Sequence, residues 1–154
     1  MKNQLVNSGF TIIEMMIVVG IIAVLALIAF PSYQSSVEKN DLVDAKRSLI
    51  LIRSQLESDK LAHPRNFMSE NDYSTYLDNA AKGAVSRVLG RYSLSGSVKA
   101  YSNNNQSFQV FLQASPTKNG YTRGVWIDKD GNAFNCKGLS GKASTSKPSN
   151  CEVL

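Results

Sequence analysis

The chain has 154 residues, which suits one domain with an attached segment rather than two full domains. With 43% hydrophobic and 19% charged residues its composition is ordinary for a globular protein, and its net charge of +5 is a mild basic excess that a solvated surface explains more simply than an anionic partner does. The two cysteines, Cys136 and Cys151, form neither a C-x-x-C pair nor part of a Cys/His cluster, which argues against redox catalysis and a zinc site.

The first nine residues form a short polar segment that carries Lys2. An ordinary secretory signal has its cleavage site after the hydrophobic region, but the only small-residue site here, Gly9, precedes that region. A cut after Gly9 would therefore leave the hydrophobic helix on the mature protein. Lys2 predicts that the N-terminus stays cytoplasmic and that the rest of the chain is exported.

The apolar run from Phe10 to Phe30 is long enough, at about 32 Å of helix, to span a bilayer. Glu14 is its only charge, and an acidic side chain inside a membrane helix is costly unless it is paired. Removal of residues 1–9 would create a cationic α-amine on Phe10, one helical turn away. That amine, or the amine of a neighbouring subunit, would neutralise Glu14 and could fix the register between helices. A charge tolerated near the membrane interface is the simpler alternative.

The run GFTIIEMMIVV from Gly9 to Val19, with Pro31-Ser32-Tyr33 further on, closely resembles the prepilin motif of type IVa pilins, with its class III leader. The resemblance implies cleavage by prepilin peptidase between Gly9 and Phe10, and N-methylation of Phe10 by the same enzyme. It also implies that Glu14 is needed for subunit docking. The motif covers about thirty residues, and type II secretion pseudopilins share its layout.

The resemblance implies three parts: a leader of residues 1–9, a transmembrane and filament-core helix of residues 10–31, and a globular head of residues 32–154. The implied partners are other pilins in a helical filament, prepilin peptidase and an inner-membrane assembly platform. Host surfaces, other pili and DNA are further candidates. The implied location is the inner membrane of a Gram-negative bacterium before assembly, and an extracellular pilus afterwards.

Pro31 is expected to interrupt the helical hydrogen bonds and kink the helix where the apolar run ends. Beyond it, an apolar stripe with 3–4 spacing predicts that the same helix continues to about Lys60 and ends before Pro64. The stripe consists of Leu42, Ala45, Leu49, Ile52 and Leu56. Packing against a sheet is sufficient to explain it.

The remaining chain predicts a connector at 64–90 with one short helix over 72–89, followed by a sheet at 91–136. Four short strands are expected at 91–100, 107–114, 121–127 and 132–136, joined by turns that include 103–105 and 128–131. The residues Phe108, Val110, Leu112 and Ala114 alternate as in a half-buried strand. The order predicts an α+β pilin fold, in which one long N-terminal helix packs on a four-stranded antiparallel sheet and a disulfide-bounded loop follows.

The C-terminal cysteines would close a loop of fourteen residues that is rich in Gly, Ser, Lys and Pro. A disulfide between Cys136 and Cys151 is the natural state in an exported domain, and the loop resembles the exposed D-region (136–151) of type IVa pilins. Lys137, Lys142 and Lys147 make it a candidate ligand surface for DNA or anionic glycans, although soluble loop charges are the simpler interpretation.

No metal, cofactor or catalytic site is predicted. Asp128, Asp130 and Asn132 alternate as in a calcium loop, but position twelve of that loop is Leu139 instead of Glu, which favours a β-turn. The single histidine, His63, precedes Pro64 and is expected to be a solvated loop residue. One histidine in a connector supports no catalytic triad, so the protein is not expected to be an enzyme.

The C-terminal half carries GYT at 120–122, Val125-Trp126, Asp130-Gly131 and the two cysteines, and this arrangement resembles the PilX group of minor pilins. The resemblance implies a minor pilin that modulates aggregation and adhesion. Three alternatives remain open: a major pilin, a type II secretion pseudopilin, and a competence pilin whose D-region binds DNA.

Overall fold

The computed structural model describes residues 10–100 and 108–154, and only the backbone at position 31. The predicted leader, with Gly9, and the predicted turn at 103–105 lie outside the described residues. The chain divides into two compact units, one ending at Val37 and one running from Glu38 to Leu154.

The helices are α1 (Ile12–Ala62), a 3₁₀ turn (Pro64–Asn66), α2 (Glu70–Lys82) and α3 (Ser86–Leu89). The strands are β1 (Tyr92–Ala100), β2 (Phe108–Pro116), β3 (Arg123–Ile127), β4 (Ala133–Lys137) and β5 (Cys151–Val153). Each of the first four strands pairs antiparallel with the next strand along the chain, in the order β1-β2-β3-β4-β5.

Helix α1 confirms the predicted long helix, and it ends two residues beyond the expected Lys60. All five residues of the predicted stripe are buried, because their 3–4 spacing keeps them on the face that packs against the sheet. They form one core with the inward residues of β1, β2 and β3 and with Tyr73, Leu77 and Ala81 of α2.

The single short helix expected over 72–89 was wrong. Two helices occupy this segment, because α2 ends at Lys82 with Gly83 as its C-cap and α3 begins at Ser86. At the start of α2, Ser69 and Asp72 form a capping box in which each side chain accepts a hydrogen bond from the other residue's backbone N–H. A tight contact fixes α2 on β1: a Cβ at Gly96 would lie 2.6 Å from Cδ1 of Leu77.

The predicted α+β fold is confirmed, with a correction to its sheet. A fifth strand, β5, pairs with β4 and brings Cys151 directly opposite Cys136. The two cysteines form a disulfide. Strand β2 is also buried on both faces, not half-buried as its alternation predicted, since its outward residues Phe111, Gln113 and Ser115 are covered as well.

Candidate functional site

The start of α1 is organised by Thr11 and Glu14. The Glu14 carboxylate accepts hydrogen bonds from the backbone N–H of Thr11 at 2.9 Å and from its hydroxyl at 2.7 Å. In return, the backbone N–H of Glu14 donates to the Thr11 hydroxyl at 3.3 Å. This is a capping box at the helix N-terminus. The sequence carried its signature, T-x-x-E before an apolar run, so a capping role for Glu14 could have been predicted.

Every side chain from Phe10 to Phe30 is exposed. Among the described residues, α1 is the one helix whose length and composition would allow it to cross a membrane. An exposed apolar surface of this extent requires lipid or protein to cover it. Phe10, the residue after the predicted cut, immediately precedes the Thr11 cap and is itself 78% exposed. The helix continues through position 31, and the kink expected at Pro31 stays a prediction.

The loop between the cysteines lies on the outer face of the sheet, opposite the helices. Its main chain is held by sheet side chains: Trp126 Nε1 donates to the carbonyl of Ser144 at 2.9 Å, and the Ser97 hydroxyl donates to that of Ala143. Buried Gln113 bonds the loop twice, to the carbonyl of Ser140 at 3.3 Å and from the N–H of Ser144 at 3.4 Å. The loop is therefore held against the sheet by several hydrogen bonds.

A small apolar cluster lies under this loop, built from Phe111, Trp126, Cys136 and Leu139. Gly124 permits the close approach, because a Cβ there would lie 2.9 Å from Cδ1 of Leu139 and 2.4 Å from the carbonyl oxygen of Ala114. This cluster holds the loop on the sheet in addition to the disulfide.

Comparison with known proteins matches the N-terminal motif and identifies several relatives. The family described as "Prokaryotic N-terminal methylation motif" matches residues 6–30. The chain is 35% identical over 100 residues to "Prepilin peptidase-dependent protein D" of Escherichia coli (strain K12), covering 58% of this chain and 68% of that protein. It is 32% identical over 126 residues to "Fimbrial protein EcpC" of Eikenella corrodens, covering 78% of this chain and 69% of that protein.

The chain belongs to the type IV pilin family. It is also 26% identical over 150 residues to "Type IV major alpha-pilin" of Moraxella bovis, covering 80% of this chain and 85% of that protein. No solved structure gave a significant match. This pilin is accordingly a structural subunit that assembles with other pilins into a pilus, and its exposed apolar helix is suited to a membrane before assembly.

The three lysines of the candidate ligand surface do not share one environment in this pilin. Lys147 lies with Nζ 4.4 Å from the centroid of the Phe134 ring, on the outer face of the sheet. Side chains alternate along β4, so Lys137, which follows Cys136, lies on the opposite face from Phe134. Lys142 is exposed within the loop.

The Asp128 carboxylate is hydrogen-bonded by groups of its own turn. The Asp128 carboxylate accepts hydrogen bonds from the N–H groups of Asp130 and Asn132, at 2.9 and 2.8 Å, and from the Asn132 amide at 3.0 Å. Burial opposes ionisation here, but the hydrogen bonds from Asn132, Asp130 and Gly131 lower the pKa of Asp128 below its usual value. The predicted β-turn at 128–131 is therefore present.

A buried carboxylate joins three parts of the head, and sequence reasoning missed it. Asp41 of α1 is 3% exposed, is ion-paired to Arg91 before β1, and accepts a hydrogen bond from the Tyr121 hydroxyl before β3. Arg87 of α3 adds a weaker contact at 3.6 Å. The signal was available: Asp41 lies four residues before Ala45, in phase with the apolar stripe.

Glu38 and Arg53 of α1 also hold the sheet, each through backbone groups. Glu38 Oε1 accepts from the N–H groups of Thr122 and Arg123 at 2.7 and 2.9 Å. Arg53 donates to the carbonyls of Asp128, at 2.7 Å, and Lys129. Neither role could be predicted from the sequence, because the partners are backbone groups, which every residue has. His63 is exposed, as expected of a loop residue.

Proposed function

We propose that this chain is a minor pilin that modulates pilus-mediated aggregation, adhesion, motility or DNA uptake. The pilus role is carried by the exposed apolar half of α1. The minor role is supported by the resemblance of the segments around Tyr121, Trp126 and the two cysteines to the PilX group. The amount of this subunit in sheared, purified pili tests the proposal: it should be a small fraction of the total pilin by quantitative mass spectrometry.

A major pilin is the second candidate, favoured by the similarity to the Moraxella bovis protein, which is named as a major pilin. The same measurement separates the two. A dominant band in sheared pili would reject the minor role. Deletion of the gene tests the third alternative, a pseudopilin of type II secretion. Loss of twitching or transformation, with secretion of exoproteins intact, would reject that alternative.

Processing is proposed to follow the prepilin pathway, with residues 1–9 removed by prepilin peptidase and Phe10 N-methylated. The precursor would lie in the inner membrane of a Gram-negative bacterium, and an assembly platform there would pass it into the filament. Mass analysis of the mature N-terminus is the test. Methyl-Phe10 is expected, and a chain that retains residues 1–9 in assembled pili would refute the cut.

Glu14 is proposed to dock each new subunit by pairing with the α-amine of a neighbouring Phe10. Its capping box with Thr11 complicates the usual test, since Glu14→Val removes both the charge and the cap. Glu14→Gln separates them, because Gln also completes a capping box but carries no charge. Both variants should insert and be cleaved normally, and both should be depleted from filaments.

Incorporation of Glu14→Gln at the normal level would mean that the cap, and not the charge, is what assembly needs. Thr11→Val is the matched control, since it removes the hydroxyl of the cap and keeps the Glu14 charge. Under the docking proposal this control should enter filaments far better than either Glu14 variant.

DNA binding is a third candidate, supported by Lys137, Lys142 and Lys147, for which no ion pair with a carboxylate is found among the described residues. Each lysine changed to Gln should reduce salt-sensitive retention of DNA by purified pili, because phosphate contacts release counterions. Retention that is insensitive to salt, or unaffected by all three changes, would reject this role.

A further inference from the structure

A polar groove lies between the end of α1, the 3₁₀ turn and α2, away from the disulfide loop. It is an open groove of about 500 Å³, and most of its lining residues are exposed. One wall is a stripe on α2 with i, i+4, i+8 spacing, formed by Asn71, Thr75 and Asn79. Asn66 of the 3₁₀ turn and Asp59 of α1 line the groove as well.

The charges of the groove are already engaged. Asp59 accepts a hydrogen bond of 2.6 Å from the Tyr76 hydroxyl. Asp72 caps α2 by accepting from the N–H groups of Ser69 and Met68, at 2.8 and 3.2 Å. The described residues contain no group of three or more His, Cys, Asp or Glu side chains able to hold a metal ion. The described lining includes no Lys or Arg. A metal cation and an anionic ligand are therefore both poorly matched.

Apart from the exposed imidazole of His63, the side chains left to bond a ligand are neutral. Within the described part of the chain, the amides of Asn66, Asn71 and Asn79 and the hydroxyl of Thr75 make no side-chain hydrogen bond to another residue. Each amide offers two donors and an acceptor oxygen, and the hydroxyl offers one donor and two lone pairs. The aromatic residues Tyr76 and Phe67 add apolar surface beside them, with ring centroids 5.4 Å apart.

The stripe on α2 is unfavourable for the helix itself. Asn and Thr have lower helix propensity than Ala, Glu or Lys, because their short polar side chains compete for backbone hydrogen bonds or lose rotamer freedom. All three residues are exposed and line the same groove.

We propose that this groove binds a neutral saccharide. Closely spaced hydroxyls both donate and accept, so they match alternating amide and hydroxyl groups, and the apolar face of a sugar ring matches Tyr76. The site would give the adhesive role proposed above an uncharged glycan as its ligand, and would do so away from the disulfide loop.

The test uses the full chain in detergent micelles and a panel of uncharged oligosaccharides built from glucose, galactose and their N-acetylated amino sugars. Saturation-transfer NMR and calorimetry should find saturable binding to at least one of them. A triple variant, Asn71→Ala, Thr75→Ala and Asn79→Ala, should lose about tenfold or more in affinity, since each hydrogen bond lost is worth a factor of several. Because Ala favours the helix, the variant should unfold at the same or a higher temperature.

Asn119→Ala is the matched control, since it removes one amide from an exposed turn elsewhere and should leave binding unchanged. Failure of every sugar to bind, or equal binding by the triple variant, would overturn the proposal. Incorporation of the triple variant into pili should be normal, so a negative binding result does not bear on the pilus role itself.

Discussion

The indole of Trp126 and the carbonyl of Ser144 are joined by a 2.9 Å hydrogen bond that ties the centre of the sheet to the middle of the disulfide loop. Trp126 is 2% exposed and lies beside Phe111, with ring centroids 5.9 Å apart. Since its partner is a main-chain carbonyl, the contact fixes the path of the loop without requiring a particular side chain at position 144.

Trp126→Phe keeps a ring in the cluster and removes the donor. The carbonyl of Ser144 then loses its partner, so we expect a loss of about 1 kcal/mol in the free energy of unfolding. Trypsin should cut after Lys142 several times faster, whereas Lys147 is followed by Pro148 and is not a trypsin site. Ser146→Ala is the control, because the Ser146 hydroxyl contacts only Ser144 within the loop. Equal cutting rates in the two variants would show that the indole does not hold the loop.

Gly96→Val tests the contact between β1 and α2. A Cβ at this position would lie 2.6 Å from Cδ1 and 2.9 Å from Cβ of Leu77, which is fully buried and cannot move away freely. We expect a loss of about 1–3 kcal/mol, measured by chemical denaturation of the full chain in detergent with Trp126 fluorescence.

The control for Gly96 is Gly83→Ala. Gly83 has φ −79°, and its nearest neighbours to an added Cβ are two carbonyl oxygens at 3.6 Å. Alanine fits there and restricts the unfolded chain, so stability should be unchanged or slightly higher. If Gly96→Val is as stable as this control, α2 does not pack on β1 as closely as described.

Asp41→Asn should destabilise the buried contact that Asp41 of α1 makes with Arg91 and Tyr121. It leaves Arg91 without its buried partner, and removal of one member of a buried ion pair costs about 3 kcal/mol or more. Asp44→Asn is the matched control: its side chain is 33% exposed and its ion pairs with Arg47 and Arg87 are 3.7 and 3.8 Å long, so its loss should cost under about 1 kcal/mol. Equal effects on the unfolding midpoint would contradict this ranking.

Tyr121 predicts how stability depends on alkaline pH. Burial, followed by the hydrogen bond to Asp41, raises the pKa of Tyr121 from 10.0 to about 12. Between these values the unfolded chain has lost the phenol proton and the folded chain retains it, so the free energy of unfolding falls as pH rises from about 10 to about 12. Burial and Asp59 raise the pKa of Tyr76 to about 12 as well, with the same sign.

Tyr121→Phe should therefore flatten this dependence. The measurement is the free energy of unfolding of both proteins at several pH values between 9 and 12. A slope that is unchanged in the variant would mean that the Tyr121 hydroxyl ionises as readily in the folded protein as in the unfolded chain.

The periodic parts of this pilin were predictable, and the reason is geometric. The 3–4 spacing from Leu42 to Leu56 places these apolar residues on one face of a helix, and that face is buried. The first half of α1 was readable from its unbroken apolar run and the isolated Glu14. Two features that escaped prediction had no period: the break at Gly83, which interrupts an otherwise helical pattern, and the three residues of β5, which pair with β4 beside the disulfide.

The burial of the outer sheet face could not be read from the sequence either. The loop that covers it is Gly- and Ser-rich, and it docks mainly through the carbonyls of Ser140, Ala143 and Ser144. A backbone carbonyl is the same at every residue. The sheet side chains that bond these carbonyls include Gln113 and Ser97, which are polar residues in strands. Alternation predicts only that such residues face water.

The strand order has a consequence for how the head is made. From β2 to β5, each strand pairs with the one just before it in the chain, so none of these pairings requires a later strand. A chain that emerges with α1 first can therefore lay down the sheet progressively on the stripe from Leu42 to Leu56, because short separations between pairing strands keep the entropy of closure low. Cys151 lies in β5, after every other strand in the chain, so the disulfide with Cys136 cannot form before the sequence of the whole sheet has been made.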